Sequence, residues 1–203
     1  MKQERTLSIE GKEYTLLISD EPQALLEAKA SGRAVLGCLD TGNGEGASRD
    51  FQGIPYVVPS MEYVTEELLE LILRRYLGLP WLIDETERLY IREFVKEDAE
   101  NIPEEEYGKE EEIFRDPDKL EVYIKNQYGF YEYGTWAVLK KSPSLLIGMA
   151  GVSNPNLPET ALQALPTLPD DLCWLELGYH IFKPYRKNGY ATEAAKAILS
   201  YSH

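Results

Sequence analysis

A short stretch near the end of the sequence, FKPYRKNGYATEA at residues 182–194, has the residue types of a phosphate-binding turn. Arg186 leads the turn, Gly189 follows three positions later, and Ala191 comes two positions after that. A helix that starts directly after such a turn leaves its first four amides without helical partners, at the positive end of the helix dipole. Those amides can donate several hydrogen bonds to a pyrophosphate, and glycine lets the backbone approach it closely. The alternative is a tight connection between a strand and a helix.

The charges around this turn favour an anionic ligand. The chain has 203 residues, of which 35 are Asp or Glu and 21 are Lys or Arg, so its formal net charge is -14. Residues 181–191 nevertheless contain no acid, whereas Lys183, Arg186 and Lys187 are basic. An acidic chain lacks the overall basic face that nucleic acids require, so no nucleic-acid partner is expected.

The apolar segment before the turn, LCWLELGYHIF at residues 172–182, predicts a strand that carries two candidates for proton transfer. Glu176 is expected in the middle of this strand, where it is either a general base or an ordinary strand carboxylate. His180 lies four positions after Glu176 along the same strand. It is predicted to form a polar wall of a binding cleft beside the turn rather than to act as the base. The two histidines and two isolated cysteines match no metal-ligand spacing, so no metal is expected.

Elements that would position these residues extend over residues 86–203. RLYIREF predicts a strand, VKEDAENI and PDKLEVYIKNQYG predict helices, and GTWAVLKK with LLIGMAGVSN predicts a hairpin. GYATEAAKAILSYS predicts the last helix, and the proline-rich residues 155–171 predict a long loop. The acidic residues 104–112 predict a solvated face, with attraction of a cationic acceptor as the alternative.

Residues 1–80 predict a separate, small α/β unit with a parallel sheet, because strands and helices alternate along them. The loop Gly42-Asn43-Gly44-Glu45-Gly46 lacks the ending of a P-loop and leads to a strand, so a flexible connector is predicted rather than a phosphate cradle. LPWLIDETE, residues 79–87, is predicted to be a linker.

Two further features concern the location of the chain and its thiols. No apolar signal segment and no apolar run of membrane-spanning length are visible, so a cytoplasmic protein with no membrane partner is predicted. Cys38 and Cys173 each stand in an apolar run, which predicts two buried free thiols.

The phosphate-binding turn resembles the acetyl-CoA motif of the Gcn5-related N-acetyltransferases, the GNAT superfamily. Arg186-x-x-Gly189-x-Ala191 matches that motif and follows a GYHI strand. The longer stretch LELGYHIFKPYRKNGYATEAAKAIL looks like the branch that contains the ribosomal-protein N-terminal acetyltransferases. The resemblance covers residues 86–203 and implies a GNAT-type mixed sheet with flanking helices, so the fold class expected for the whole chain is α/β (α+β).

Other parts of the chain carry the same resemblance and a second, fainter one. ERLYIREFVKEDAENI is similar to the opening strand and helix of that branch, and WAVLKKSPSLLIGMAGVS fits its second and third strands. LLISDEPQALLEAKASG faintly resembles a strand–Asp–helix segment of haloacid-dehalogenase-type hydrolases. Asp20, Asp40 and Asp50 each stand alone, so the nucleophilic Asp-x-Asp pair of that family has no counterpart and no hydrolase activity is carried over.

The GNAT resemblance implies a role for each candidate site residue. The strand end at Ile181 and Phe182 would contact the pantetheine arm of acetyl-CoA through its backbone. The backbone amides of the turn would hold the pyrophosphate, and they belong to Lys187, Asn188, Gly189, Tyr190 and Ala191. Arg186 would add charge, and Glu176 would deprotonate the amine. Lys187 is a departure, because close relatives often carry glycine there.

A further departure is the end of the chain, because relatives continue past the last helix with another strand and helix. The resemblance therefore implies a domain that is short at its C-terminus. The expected activity is direct transfer of an acetyl group from acetyl-CoA to an N-terminal or small-molecule amine. A non-catalytic acyl-CoA-binding or regulatory module and a plain interaction protein are the alternatives. The identity of the acceptor and the formation of a homo-oligomer stay open.

Overall fold

The chain divides into two compact units, Met1–Trp81 and Leu82–His203, each of which contains one sheet. The computed structural model describes residues 2–40, 50–104, 109–162, 164–169 and 172–202. The expected α/β fold class is confirmed by these sheets and the helices that accompany them. The glycine-rich loop at residues 42–46 lies outside the described residues, as do residues 105–108 of the acidic run.

The first unit has a four-stranded sheet in the order β1-β2-β3-β4. Its strands are β1 (Lys2–Ile9), β2 (Lys12–Ser19), β3 (Ala34–Asp40) and β4 (Val57–Ser60). β1 and β2 form an antiparallel hairpin, whereas β2, β3 and β4 run parallel. The hairpin turns at Glu10 and Gly11, which both have a positive φ.

Two α-helices lie among the described residues of the first unit, α1 (Pro22–Ala30) and α2 (Glu66–Tyr76). Proline in the first turn of α1 suits a helix start, because the missing N–H would have no helical partner there. One face of α2 buries Leu69, Ile72 and Leu73. These side chains join a core cluster that includes residues of β1, β2 and β3.

The second unit has a five-stranded sheet in the order β5-β6-β7-β8-β9, and each neighbouring pair is antiparallel. Its strands are β5 (Leu82–Glu85), β6 (Leu89–Arg92), β7 (Thr135–Lys140), β8 (Leu145–Ser153) and β9 (Glu176–Ile181). Its helices are α3 (Pro117–Tyr123), α4 (Gly129–Tyr131), α5 (Glu159–Leu162) and α6 (Tyr190–Tyr201). The expected hairpin is thus β7–β8, and the expected last helix is α6.

The predicted linker at residues 79–87 is partly wrong, because β5 lies within it. Leu82 pairs with Arg92 and Glu85 pairs with Tyr90, so this segment belongs to the second sheet. VKEDAENI forms a 3-10 helix at Lys96–Asn101 instead of an α-helix. Its main-chain hydrogen bonds span three residues, as from Asp98 to Val95.

The strand predicted over residues 172–182 is shorter than expected, because β9 begins at Glu176. The residues before it follow the proline-rich loop instead of pairing with β8, and the Trp174 indole donates to the carbonyl of Pro166 at 3.1 Å. Cys173 lies in this segment and is exposed, so its predicted burial is wrong. Cys38 is a buried thiol outside any disulfide, as expected.

An ion pair anchors the start of the second sheet to the 3-10 helix that follows. The Arg92 guanidinium contacts both carboxylate oxygens of Asp98, at 2.7 and 2.9 Å. Asp98 also accepts a hydrogen bond from the main-chain amide of Val95 at 2.9 Å. The pair is largely buried and bidentate, which fixes the direction in which the chain leaves β6.

Candidate active site

The turn after β9 brings an open helix start next to the edge of the sheet. β9 ends at Ile181, a short 3-10 turn follows, and α6 begins at Tyr190. Gly189 precedes the helix with φ +80°, a left-handed conformation that favours glycine. The main-chain amide of Glu193 donates the first helical hydrogen bond, to the carbonyl of Gly189. The amides of the three residues between them therefore lack helical acceptors.

The turn itself is held by side chains and carries backbone strain. Asn188 donates from its side-chain amide to the carbonyls of Tyr185 and Arg186, at 3.1 and 3.0 Å. Lys187 has φ +63°, which is unfavourable for a residue with a Cβ. The sequence departs from the expected glycine at this position, and the backbone adopts the conformation that glycine would prefer.

A cavity of about 420 Å³ lies between β9 and the start of α6. It is bordered by Tyr179, His180, Ile181, Tyr185, Arg186, Lys187, Gly189, Tyr190, Ala191 and Thr192. Six of the nine predicted site residues are among them, and His180 forms part of the wall. Of the other three, Glu176, Phe182 and Asn188, none borders this cavity in the described part of the chain.

The residues at the end of β9 are already engaged within the protein. Phe182 is 1% exposed, belongs to the core, and donates its amide to the carbonyl of Ile147 at 2.9 Å. The carbonyl of Ile181 accepts a hydrogen bond from Nε of Arg186 at 2.7 Å. Nη2 of Arg186 lies 3.4 Å from Nε2 of His180. Arg186 therefore holds the turn against the strand and leaves its charge at the cavity.

Glu176 lies at the opposite end of β9 from the turn. Its predicted place in the middle of the strand is wrong, since it is the first residue of β9. Ile181 is five positions further along the strand, which corresponds to about 16 Å in an extended strand. The carboxylate is exposed and accepts a hydrogen bond from the amide of Asn156 at 3.1 Å.

Tyrosines cluster near the same end of the sheet, where β7 begins. Tyr128 is buried and donates its hydroxyl to the carbonyl of Thr135 at 2.5 Å. Burial raises the pKa of Tyr128 well above its ordinary value, so this hydroxyl stays protonated. Tyr133 instead donates to Asn154 at 2.8 Å in an exposed contact, and its ring lies 5.8 Å from that of Tyr131. Tyr128 thus belongs to the buried core, while Tyr131 and Tyr133 face outward.

Three residues that sequence reasoning missed join the β5–β6 turn to α6. The carboxylate of Glu193 accepts hydrogen bonds from the Thr86 hydroxyl at 2.6 Å and from the Arg88 amide at 3.0 Å. Nε of Arg88 donates to the same carboxylate at 2.7 Å. Burial acts to raise the pKa of Glu193, but these hydrogen bonds outweigh it and hold the pKa below its ordinary value.

Arg88 makes two further contacts at the turn. Its Nη1 donates to the carbonyl of Asn188 at 2.9 Å, and its guanidinium carbon lies 4.6 Å from the centre of the Tyr190 ring. The only local signal in the sequence was an acid in the first turn of the last helix. Its partners lie more than one hundred positions away, at 105 residues for Arg88 and 107 for Thr86.

The family of this chain follows from its second unit. The sequence model of the acetyltransferase (GNAT) domain matches residues 88–203, which is more than half of the chain. The chain belongs to the GNAT acetyltransferases, a family of enzymes, and the resemblance found in the sequence is confirmed. The matched region does not include the first unit, so its haloacid-dehalogenase resemblance stays a prediction.

Several solved acetyltransferase structures are similar to this chain. A GnaT-family acetyltransferase from Bordetella pertussis is 18% identical, with a TM-score of 0.42, over 59% of this chain and 70% of that one. A GNAT acetyltransferase from Bacillus anthracis is 20% identical, with a TM-score of 0.38, over 58% and 64%. A ribosomal-protein-serine acetyltransferase from Vibrio cholerae is 18% identical, with a TM-score of 0.37, over 60% and 66%. The chain spans less than two thirds of the latter two. No curated protein matches the sequence significantly.

Two wider features of the described residues bear on the expected partners. None of the helices in this part of the chain has both the length and the apolar character that a membrane span requires. Over the same residues, no group of three or more His, Cys, Asp or Glu side chains is arranged to hold a metal ion.

Proposed function

We propose that this chain transfers an acetyl group from acetyl-CoA directly to an amine, either a protein N-terminus or a small molecule, in the cytoplasm. The observation that carries the proposal is the cavity beside the open start of α6, with left-handed Gly189 at its border. The pyrophosphate of CoA would accept hydrogen bonds from the amides of residues 187–191. Arg186 and Lys187, which border the same cavity, would add positive charge.

Glu176 is the proposed base, acting on the amine directly or through a water molecule. Its carboxylate is exposed to solvent. It lies at the end of β9 opposite the phosphate seat, which is the proposed pyrophosphate site at the amides of residues 187–191. Bound acetyl-CoA would supply the activated acyl group, and the protein would align the amine with it. A base role for Glu176 requires that the amine approach from the end of β9 at which Tyr133 also lies.

The second candidate function is a non-catalytic acyl-CoA-binding or regulatory module. The carboxylate of Glu176 already accepts a hydrogen bond from the Asn156 amide, as an ordinary surface carboxylate would. This contact favours the second candidate, whereas the phosphate seat fits both candidates equally. A measurement of turnover distinguishes the two candidate functions. An acetyltransferase should release thiol from acetyl-CoA in the presence of an amine, and Glu176→Gln should lower kcat more than it changes the affinity for CoA.

The phosphate seat is tested by calorimetric titration of CoA into Gly189→Val and into the parent chain. A valine at this position would be strained at φ +80° and would bring its Cβ to 3.4 Å from Nη2 of Arg88. The turn would have to shift, so Kd should rise on the order of 100-fold through the loss of charge-assisted hydrogen bonds. Gly78→Val is the matched control, because Gly78 also has a positive φ, +71°, and lies in the first unit. Equal CoA affinity in the parent and in Gly189→Val would contradict the proposed seat.

A further inference from the structure

An acidic residue stands where the proposed phosphate seat can least tolerate one. Glu193 lies in the first turn of α6, four residues after Gly189. A carboxylate in a first turn interacts with the positive end of the helix dipole, and so competes with any other anion there. If nothing compensated its charge, Glu193 would repel phosphates that approach the amides of Tyr190 and Ala191.

Arg88 supplies the compensating charge from the turn between β5 and β6. Its Nη2 lies 2.6 Å from Oε2 of Glu193, and its Nε donates to the same oxygen. The Glu193 side chain is 18% exposed, so this pair is screened by water less than a pair on the open surface. One guanidinium thus neutralises the acid within the first turn of α6.

The same guanidinium also holds the backbone of the turn. Nη1 of Arg88 donates to the carbonyl of Asn188, which is the residue directly before Gly189. A carbonyl fixed on the Arg88 side orients the peptide bond between Asn188 and Gly189, because that bond is planar. The amide at the other end of the bond then points in the opposite direction, away from Arg88.

We propose that Arg88 is a positioning residue for the phosphates of CoA, because it neutralises Glu193 and orients the Asn188–Gly189 peptide. The inference rests on the proposed function, since it requires that CoA bind at the start of α6. Arg88 acts through Glu193 and Asn188 and needs no contact with the ligand. Removing its charge should therefore weaken CoA binding, and removing the charge of Glu193 as well should restore part of that binding.

The test is calorimetric titration of CoA into the full chain and four variants. Arg88→Met should raise Kd about 10-fold, because it exposes a negative charge and frees the peptide. Glu193→Gln should leave Kd within about threefold of the parent. The double variant Arg88→Met/Glu193→Gln should recover the part of the affinity that Arg88→Met loses through the uncompensated charge of Glu193, while the Asn188–Gly189 peptide stays free. Lys141→Met is the control, since Lys141, the residue after β7, also pairs with an acid, Glu85 of β5, and CoA affinity should stay within about twofold.

Recovery of CoA affinity in the double variant distinguishes a positioning role of Arg88 from a purely structural role. The double variant has neither partner of the ion pair, so it should regain CoA affinity without regaining the melting temperature of the parent. If Arg88→Met does not fold, Arg88→Gln removes the charge but keeps donor groups, and gives the same comparison. Equal Kd values for Arg88→Met and Lys141→Met, or no recovery in the double variant, would overturn this inference alone. Absence of CoA binding by the parent would overturn the proposed function and this inference with it.

Discussion

The two longest α-helices in the described part of the chain, α2 in the first unit and α6 in the second, start in opposite ways. Thr65 caps α2 by accepting a hydrogen bond from the amide of Leu68, and Glu66 and Glu67 occupy its first turn. The positive end of α2 is thus already satisfied by its own side chains. α6 has Gly189 at the equivalent place, without a side-chain cap, and the acid in its first turn is paired with Arg88.

This difference shows how the main-chain amides at a helix start can become available to a ligand. A side-chain cap stabilises the helix but uses the amides that an anion would need. A left-handed glycine leaves those amides open, because it has no side chain that could accept their hydrogen bonds. The helix α6 then needs support from elsewhere, and receives it from Thr86 and Arg88 on the β5–β6 turn. The start of α2 is therefore capped by its own side chain, whereas the start of α6 has no side-chain cap.

The largest effect is expected when the start of α6 is made to resemble that of α2. Gly189→Asp would add a carboxylate at the start of α6, with its Cβ 3.4 Å from Nη2 of Arg88. It would compete with Glu193 for that guanidinium, and the excess negative charge would repel the phosphates of CoA. We expect Kd for CoA to rise on the order of 100-fold or more, from lost hydrogen bonds and like-charge repulsion. Gly189→Asn is the control for size and backbone strain, and should lose less affinity. Equal losses in the two variants would show that charge at this position is unimportant.

An intermediate effect is expected at α2. Thr65→Ala removes the side-chain cap and should lower the free energy of unfolding of the first unit by about 1 kcal/mol. CoA affinity should not change, because the cap belongs to a helix without a proposed ligand. Urea unfolding followed by circular dichroism, with CoA titration of the same variant, measures both quantities. A changed CoA affinity would mean that the two helix starts are not as different in role as proposed.

The smallest effect is expected in the pH dependence of the second unit. The pKa of Glu193 is lowered in the folded protein, so its contribution to stability is complete above its ordinary pKa and is lost as pH falls through the lower, folded value. The difference in free energy of unfolding between the parent and Glu193→Gln should therefore shrink as pH falls below about 4.5. Hydrogen bonds from Lys125 and Lys96 lower the pKa of Glu121 to about 2, and this carboxylate titrates in both proteins alike. A difference that grows towards acid pH would contradict the favourable pairing of Glu193.

The expectations that held were those with a local physical cause. The start of α6 was predictable because a glycine, a basic turn and an apolar helical pattern lie within about a dozen residues of each other. The β7–β8 hairpin was predictable because two apolar runs flank a short polar turn. The family was recognisable for the same reason, since its phosphate motif is one continuous stretch of chain.

The expectations that failed depended on contacts between distant segments. β5 has only four residues, and its strand conformation comes from pairing with β6 rather than from its own composition. The start of β9 was misplaced because β9 begins at Glu176, the residue paired with Ser153 at the end of β8, and an apolar residue count cannot reveal where the partner strand ends. Cys173 was misjudged with it, since it lies in the same segment.

The sequence by itself determined that residues 182–194 form a turn and an open helix start, because Gly189 and the basic residues act over a few positions. Only the tertiary structure decided that Arg88 meets Glu193, that Arg186 bonds to the end of β9, and that Glu176 stands at the far end of that strand. The physical reason is the separation along the chain over which each interaction acts. Backbone conformation and helix termini depend on near neighbours, whereas the partner of a charge depends on how the sheet aligns strands that are far apart in the chain.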